Sequence, residues 1–146
     1  MKWFNKLRLI ILLLLCFKIS YSNEKRVQID ENIIHAIAMV ESKQDSTMVS
    51  KCGNFVGYLQ ISKVMVDECN RLLGYKKFTY NCRYSKQKSI EMFYIIQKHY
   101  NKENNVEKAI RMWKGGIHFT QESTNKYYQA VIYHLSQNRL FSDKNP

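Results

Sequence analysis

The chain has 146 residues, with 23 lysines and arginines against 12 aspartates and glutamates and a net charge of +11. That length suits one domain around a single core and leaves no room for a second. The basic balance draws it to polyanions such as cell-wall polymers, anionic lipid or nucleic acid, and composition does not choose among them.

Residues 1–22 read as a cleaved export signal. Lys2, Lys6 and Arg8 make a basic start, Leu9 to Phe17 is an unbroken apolar run, and Ser20 and Ser22 put small residues where a signal peptidase inspects the chain. The run is far short of the roughly 20 residues that a spanning helix needs, so no stable membrane anchor is expected. Leu15 stands where a lipoprotein signal wants a small side chain before its cysteine, which argues against lipid attachment at Cys16. The expected product is a single domain, 23–146, in the periplasm or outside the cell. It keeps Cys52, Cys69 and Cys82, an odd count in a compartment that permits bridges, and the reading preferred is that they are buried as small hydrophobes. There is no C-x-x-C pair, and His35, His99, His118 and His134 lack ligand spacing. No metal and no organic cofactor is expected.

Helical periodicity dominates the remainder. Asp30 is set to cap a helix whose face holds Ile33, Ile34, Ile37 and Val40, with Glu41 in or just after its last turn. The stretch from Ser46 to Phe55 is polar and glycine-bearing, a loop or a short irregular hairpin. Ile61, Val64, Met65 and Leu72 share a face of the next helix, which Gly74 ends. After a loop rich in Tyr, Phe and Asn, Ser85 to Tyr100 carries Ile90, Phe93, Ile96 and Tyr100 at helical spacing. Val106, Ala109, Ile110 and Trp113 repeat the pattern before Gly115 and Gly116 break it, and Thr124 opens a last helix with Tyr127, Tyr128, Val131, Ile132 and Leu135. Five helices joined by loops make a mainly α domain.

Within that frame Glu41 is the residue with chemistry to offer. The turn Gly57-Tyr58-Leu59-Gln60 can return a polar amide to the pocket of a carboxyl 19 residues earlier. Apolar walls from Tyr58, Leu59 and Trp113 would strip solvent from the acid and keep it protonated as a proton donor. This combination points to cleavage of a glycosidic bond. Tyr127 and Trp113 are, from periodicity alone, core positions. The candidates for a second carboxylate are Asp45, Asp67 and Glu68. None has a spacing that recommends it, although Asp45, four residues past Glu41, is near enough to approach it.

Glu41-Ser42, then Ser50 and Gly53, then Gly57-Tyr58-Leu59-Gln60-Ile61, then Ala109 to Gly116 (AIRMWKGG), then Thr124-x-x-Tyr127-x-x-x-Val131 resemble, in order and interval, the motifs of the soluble lytic transglycosylases, the goose-type branch of the lysozyme-like fold. The resemblance runs from about Ile33 to Val131. It implies that Glu41 is the acid and base, that Ser42 helps orient the site, and that the Gln60 amide contacts sugar beside Gly57, whose backbone passes close to it. It further implies that Trp113 lies beside the sugar groove and that the Tyr127 hydroxyl bonds the catalytic carboxyl. The sequence departs from the pattern at Tyr58 and Leu59, which replace a usual Leu-Met pair, in an interval one residue longer between Glu41 and Gln60, and at Lys114, where many members have Asn.

The activity so implied is scission of the β-1,4 bond between N-acetylmuramic acid and N-acetylglucosamine in peptidoglycan with closure of a 1,6-anhydro ring. Peptidoglycan strands would be the partner, and a secretion or conjugation apparatus is a further partner by analogy. Two alternatives come from the same residues: a hydrolytic muramidase, or a non-catalytic exported module that binds the wall. A cationic protein for membranes or nucleic acid ranks below these, nucleic acid last because no RNA-type aromatic motif is present.

Overall fold

The computed structural model describes residues 29–142, so the export signal expected at 1–22 lies outside the described residues. Five α-helices form one small unit: α1 (Glu31–Ser42), α2 (Lys63–Leu73), α3 (Lys86–Tyr100), α4 (Val106–Gly115) and α5 (Gln121–Ser142), with a 3-10 helix at Tyr80–Tyr84. The expected mainly α class, helix number and single domain are what is observed. Among the described residues no helix is long and apolar enough to cross a membrane.

Helix α1 is central because its sequence leaves it little polar surface to show. Asp30 accepts from the Ile33 amide at 3.1 Å as its cap, and Ile33, Ile34, Ala36, Ile37 and Ala38 are all buried. Each isoleucine so buried stabilises the fold by about 1.5–3 kcal/mol. The helix packs along α5, whose Thr124, Tyr127, Val131 and Leu135 form the facing stripe. Lys43, at φ 54°, ends α1 with its N–H on the Ala38 and Met39 carbonyls.

Between α1 and α2 the chain makes an irregular hairpin held by two isolated antiparallel bridges, Val49 to Val56 and Val56 to Ile61. Gly57 returns the chain at φ +81°, and a Cβ there would lie 1.9 Å from the Arg83 carbonyl oxygen. That close approach, to protein backbone and not to the cleft, is what demands glycine. Arg83 is buried and clamps the hairpin to the 3-10 helix, donating to the carbonyls of Tyr80 (2.8 Å), Ile61 (3.3 Å) and Asn54 (3.4 Å).

Helix α2 departs from its expected face. Ser62 caps it by accepting from the Met65 amide and Gly74 ends it as anticipated, but Ile61 lies before the helix and Val64 is 76% exposed. The inner positions are Val66 and Cys69, and Val64, two residues and so about 200° away from Val66, turns outward. The last helix begins at Gln121, three residues before Thr124. Thr124 is instead a buried bridge: its hydroxyl donates to the Thr120 carbonyl (2.7 Å) and accepts from Arg111 Nη1 (3.1 Å), which ties α4 to α5. Gly115 stays helical at a position where a Cβ would meet Phe119 at 2.7 Å, and Gly116 makes the break. The three cysteines are free. Only Cys69 is a fully buried hydrophobe; Cys82 is half-buried, and Cys52 is exposed because the hairpin turns it outward beside the Ser50 hydroxyl.

Candidate active site

Glu41 occupies the last turn of α1, where the helix axis delivers its side chain to the space between the hairpin and the end of α4. A cavity of about 290 Å3 opens there, with Glu41, Gln60, Ile61, Met65, Trp113 and Lys114 among its lining residues. The decisive contact comes from α5: the Tyr127 hydroxyl donates to Glu41 Oε1 at 2.7 Å. Burial raises the Glu41 pKa above the usual carboxyl value, while the Tyr127 hydrogen bond and the Lys114 charge pull against it. Tyr127 itself is held well above the ordinary phenol range, chiefly by burial and then by the Glu41 charge. The phenol therefore stays protonated and acts as donor. Lys114 Nζ lies over the Tyr127 ring, 5.4 Å from its centre, so acid, phenol and ammonium form one group.

No family model, curated protein or solved structure matches this chain. The functional reading is therefore carried by its own residues.

Ser42 and Trp113 are held by two successive carbonyls of the hairpin turn. The Ser42 hydroxyl donates to the Tyr58 carbonyl at 2.8 Å, fixing the end of α1 next to Glu41. Trp113 Nε1 donates to the Leu59 carbonyl at 3.2 Å, and its ring rests against Phe93 at 4.9 Å. The sequence puts the side chains of Tyr58 and Leu59 on the cleft wall, but the fold turns both away from it. Both side chains are fully buried in the core, Tyr58 edge-on to His35 at 6.3 Å. Gly57 reverses the chain just before them, and the apolar pair gains more by turning inward than by facing a wet cleft. They serve the site through their carbonyls.

Gln60 reaches the cleft but spends its donor within the turn. At φ +48°, it donates from Nε2 to the carbonyls of Met48 (3.2 Å) and Gly57 (3.0 Å). Its amide oxygen is the part left to accept from a ligand. Phe55, Ile61, Ser62 and Met65 also line the cavity. Sequence reasoning missed them as site residues, although Ile61 and Met65 at i and i+4 beside Gln60 were a usable signal.

The second-carboxylate candidates are all committed elsewhere. Asp45 accepts from the Thr47 amide and hydroxyl, each at 2.7 Å. Asp67 accepts from the Tyr80 hydroxyl. Glu68 is bonded by Arg71 and Tyr100, which hold its pKa at about 2. Among the described residues Glu41 is the only carboxylic acid on the cavity wall, and no cluster of His, Cys, Asp and Glu is arranged to hold a metal ion. The arrangement can give a proton to a bound oxygen, take one back, and stabilise the intervening carboxylate.

Proposed function

We propose that the protein is a peptidoglycan lytic transglycosylase of lysozyme-like fold, acting on strands outside the cytoplasm. The observation that carries the reading is the Tyr127–Glu41 hydrogen bond at 2.7 Å on an acid that stands alone in its cleft. A lone acid suits a reaction in which one residue serves twice and the nucleophile belongs to the substrate.

Glu41 gives its proton to the bridging oxygen as the bond from muramic acid C1 to that oxygen breaks, freeing the N-acetylglucosamine hydroxyl. The Glu41 carboxylate, held by the Tyr127 hydroxyl, then takes the proton of the C6 hydroxyl as O6 bonds to C1, which restores the acid and closes the anhydro ring. Ring closure within one sugar benefits from an attacking oxygen already near its target. Trp113 offers an apolar face for a sugar ring and Gln60 an acceptor for a hydroxyl or amide. Lys114 adds a cation suited to the carboxylates of this polymer.

Mass spectrometry of fragments released from purified sacculi tests this reading. Anhydro-ended fragments, lost in Glu41→Gln, are the expected result. Reducing ends would make the protein a hydrolase, and an absence of fragments with binding retained would make it a wall-binding module.

A further inference from the structure

Beside the Glu41 cleft lies a second cavity of about 600 Å3, between α2 and the ends of α3 and α4, within the range of roughly 300–1,000 Å3 usual for ligand pockets. Its character is different. Val64, Met65, Ile96, Met112 and Ile117 make an aliphatic lining, and Val64 and Ile117 are 76% and 54% exposed. Two open apolar side chains on a concave lining are the usual make-up of a ligand pocket. Val64 is also the position where the helical pattern predicts burial and the fold does the opposite, a local conflict of the kind that falls at functional positions.

One end of this trough is ionic and carries both signs. Arg71, whose side chain is 63% exposed, donates from Nε and Nη2 to Glu68, each at 2.7 Å. Tyr100 also bonds Glu68, and Asp67 stands on the same rim. The trough adjoins the Glu41 cleft, and Ser62 and Met65 belong to the lining of both. A ligand held at Glu41 thus has the trough as its immediate neighbour. A sugar ring does not suit it, since its hydroxyls would lie unpaired against aliphatic side chains.

We infer that the trough receives the peptide branch borne by the muramic acid of a strand bound at Glu41. Its methyl groups and alkyl chain lie along Val64, Ile96 and Ile117, and its carboxylate and amino groups lie among Arg71, Asp67 and Glu68. The inference rests on the glycan-cleaving reading above and makes the branch, as well as the sugar, a determinant of substrate choice.

Two measurements test it separately from that reading. In methyl NMR of the whole protein, a soluble stem peptide of alanine, D-glutamate and a diamino acid should shift Val64, Ile96 and Ile117 saturably and leave Ile33 and Ile34 in place. Unmoved Val64 and Ile117 signals overturn the inference whether or not strands are cut. In kinetics, kcat/KM should favour peptide-bearing strands over strands stripped by an amidase by about tenfold or more. Val64→Asp and Ile117→Asp, both at exposed positions, should remove the preference and leave the rate on stripped strands unchanged. Equal rates on both substrates, or an equal loss on both in the variants, count against the branch site. Peptide binding without cleavage of either strand supports the trough and sinks the transglycosylase reading.

Discussion

Replacing Tyr127 with Phe removes one oxygen and keeps the ring that packs beneath Lys114. That oxygen lies 2.7 Å from Glu41 Oε1, the length of a strong hydrogen bond to an ionised acceptor. Bonds to charged groups are worth about 1.5–3 kcal/mol, roughly a 10- to 150-fold change in an equilibrium. This one favours the carboxylate over the acid, so its loss sends Glu41 further above the ordinary carboxyl range, in the direction burial already pushes it. Acid catalysis needs protonated Glu41, so kcat/KM falls as pH rises through its pKa. In Tyr127→Phe that alkaline limb moves to higher pH. The carboxyl also loses the group that orients it, and kcat at the optimum should drop by up to about 100-fold. An NMR titration of the Glu41 carboxyl carbon reads the first effect without substrate, and a pH–rate profile on glycan strands reads both. Identical titration of Glu41 in the two proteins would refute the coupling, and an unshifted limb with a uniform loss of rate would mean that the Tyr127 hydroxyl orients the carboxyl without setting its pKa.

Glu41→Gln should abolish cleavage and raise the melting temperature at neutral pH, because it removes a carboxyl whose burial makes ionisation harder in the folded chain than in the unfolded one. A carboxyl whose folded pKa is raised weakens the fold progressively as pH climbs from its unfolded value to its folded one, and costs nothing below the former. Melting curves of the two proteins should therefore converge below about pH 4, and a constant gap across pH would contradict this account. Lys114→Met removes a cation that favours the Glu41 carboxylate, so the alkaline limb should again move up, by less than in Tyr127→Phe. Raising salt should narrow the difference between Lys114→Met and the wild type; a salt-independent difference would point to a steric cause. Gly57→Ala combines φ +81° with a Cβ 1.9 Å from the Arg83 carbonyl oxygen and should cost at least about 2 kcal/mol in urea denaturation. A loss well under 1 kcal/mol would show that the hairpin yields.

What was legible in the chain was what depends on local pattern. The Asp30 cap, the Gly74 stop and the apolar rows of α1, α3 and α5 follow from spacing and capping chemistry. Illegible were facts that depend on what packs against what. Val64 and Val66 are equally apolar, and only the position of α3 decides which one faces inward. Tyr58 and Leu59 stood in the right turn, yet the direction of their side chains depends on a reversal at Gly57, and that reversal depends on Arg83, 26 residues further on. Thr124 reads as a helix start until Arg111 is seen to claim its hydroxyl. The Glu41–Tyr127 pairing came from the motif resemblance and not from periodicity, which on its own would put Tyr127 in the core.

The two residues of that hydrogen bond are 86 positions apart, on the first and the fifth of the described α-helices. Before α5 docks, Glu41 lacks the phenol that holds its carboxylate. Chemical competence thus arrives no earlier than the meeting of these two helices. A displaced α5 would take the phenol away from Glu41 with nothing placed in the groove.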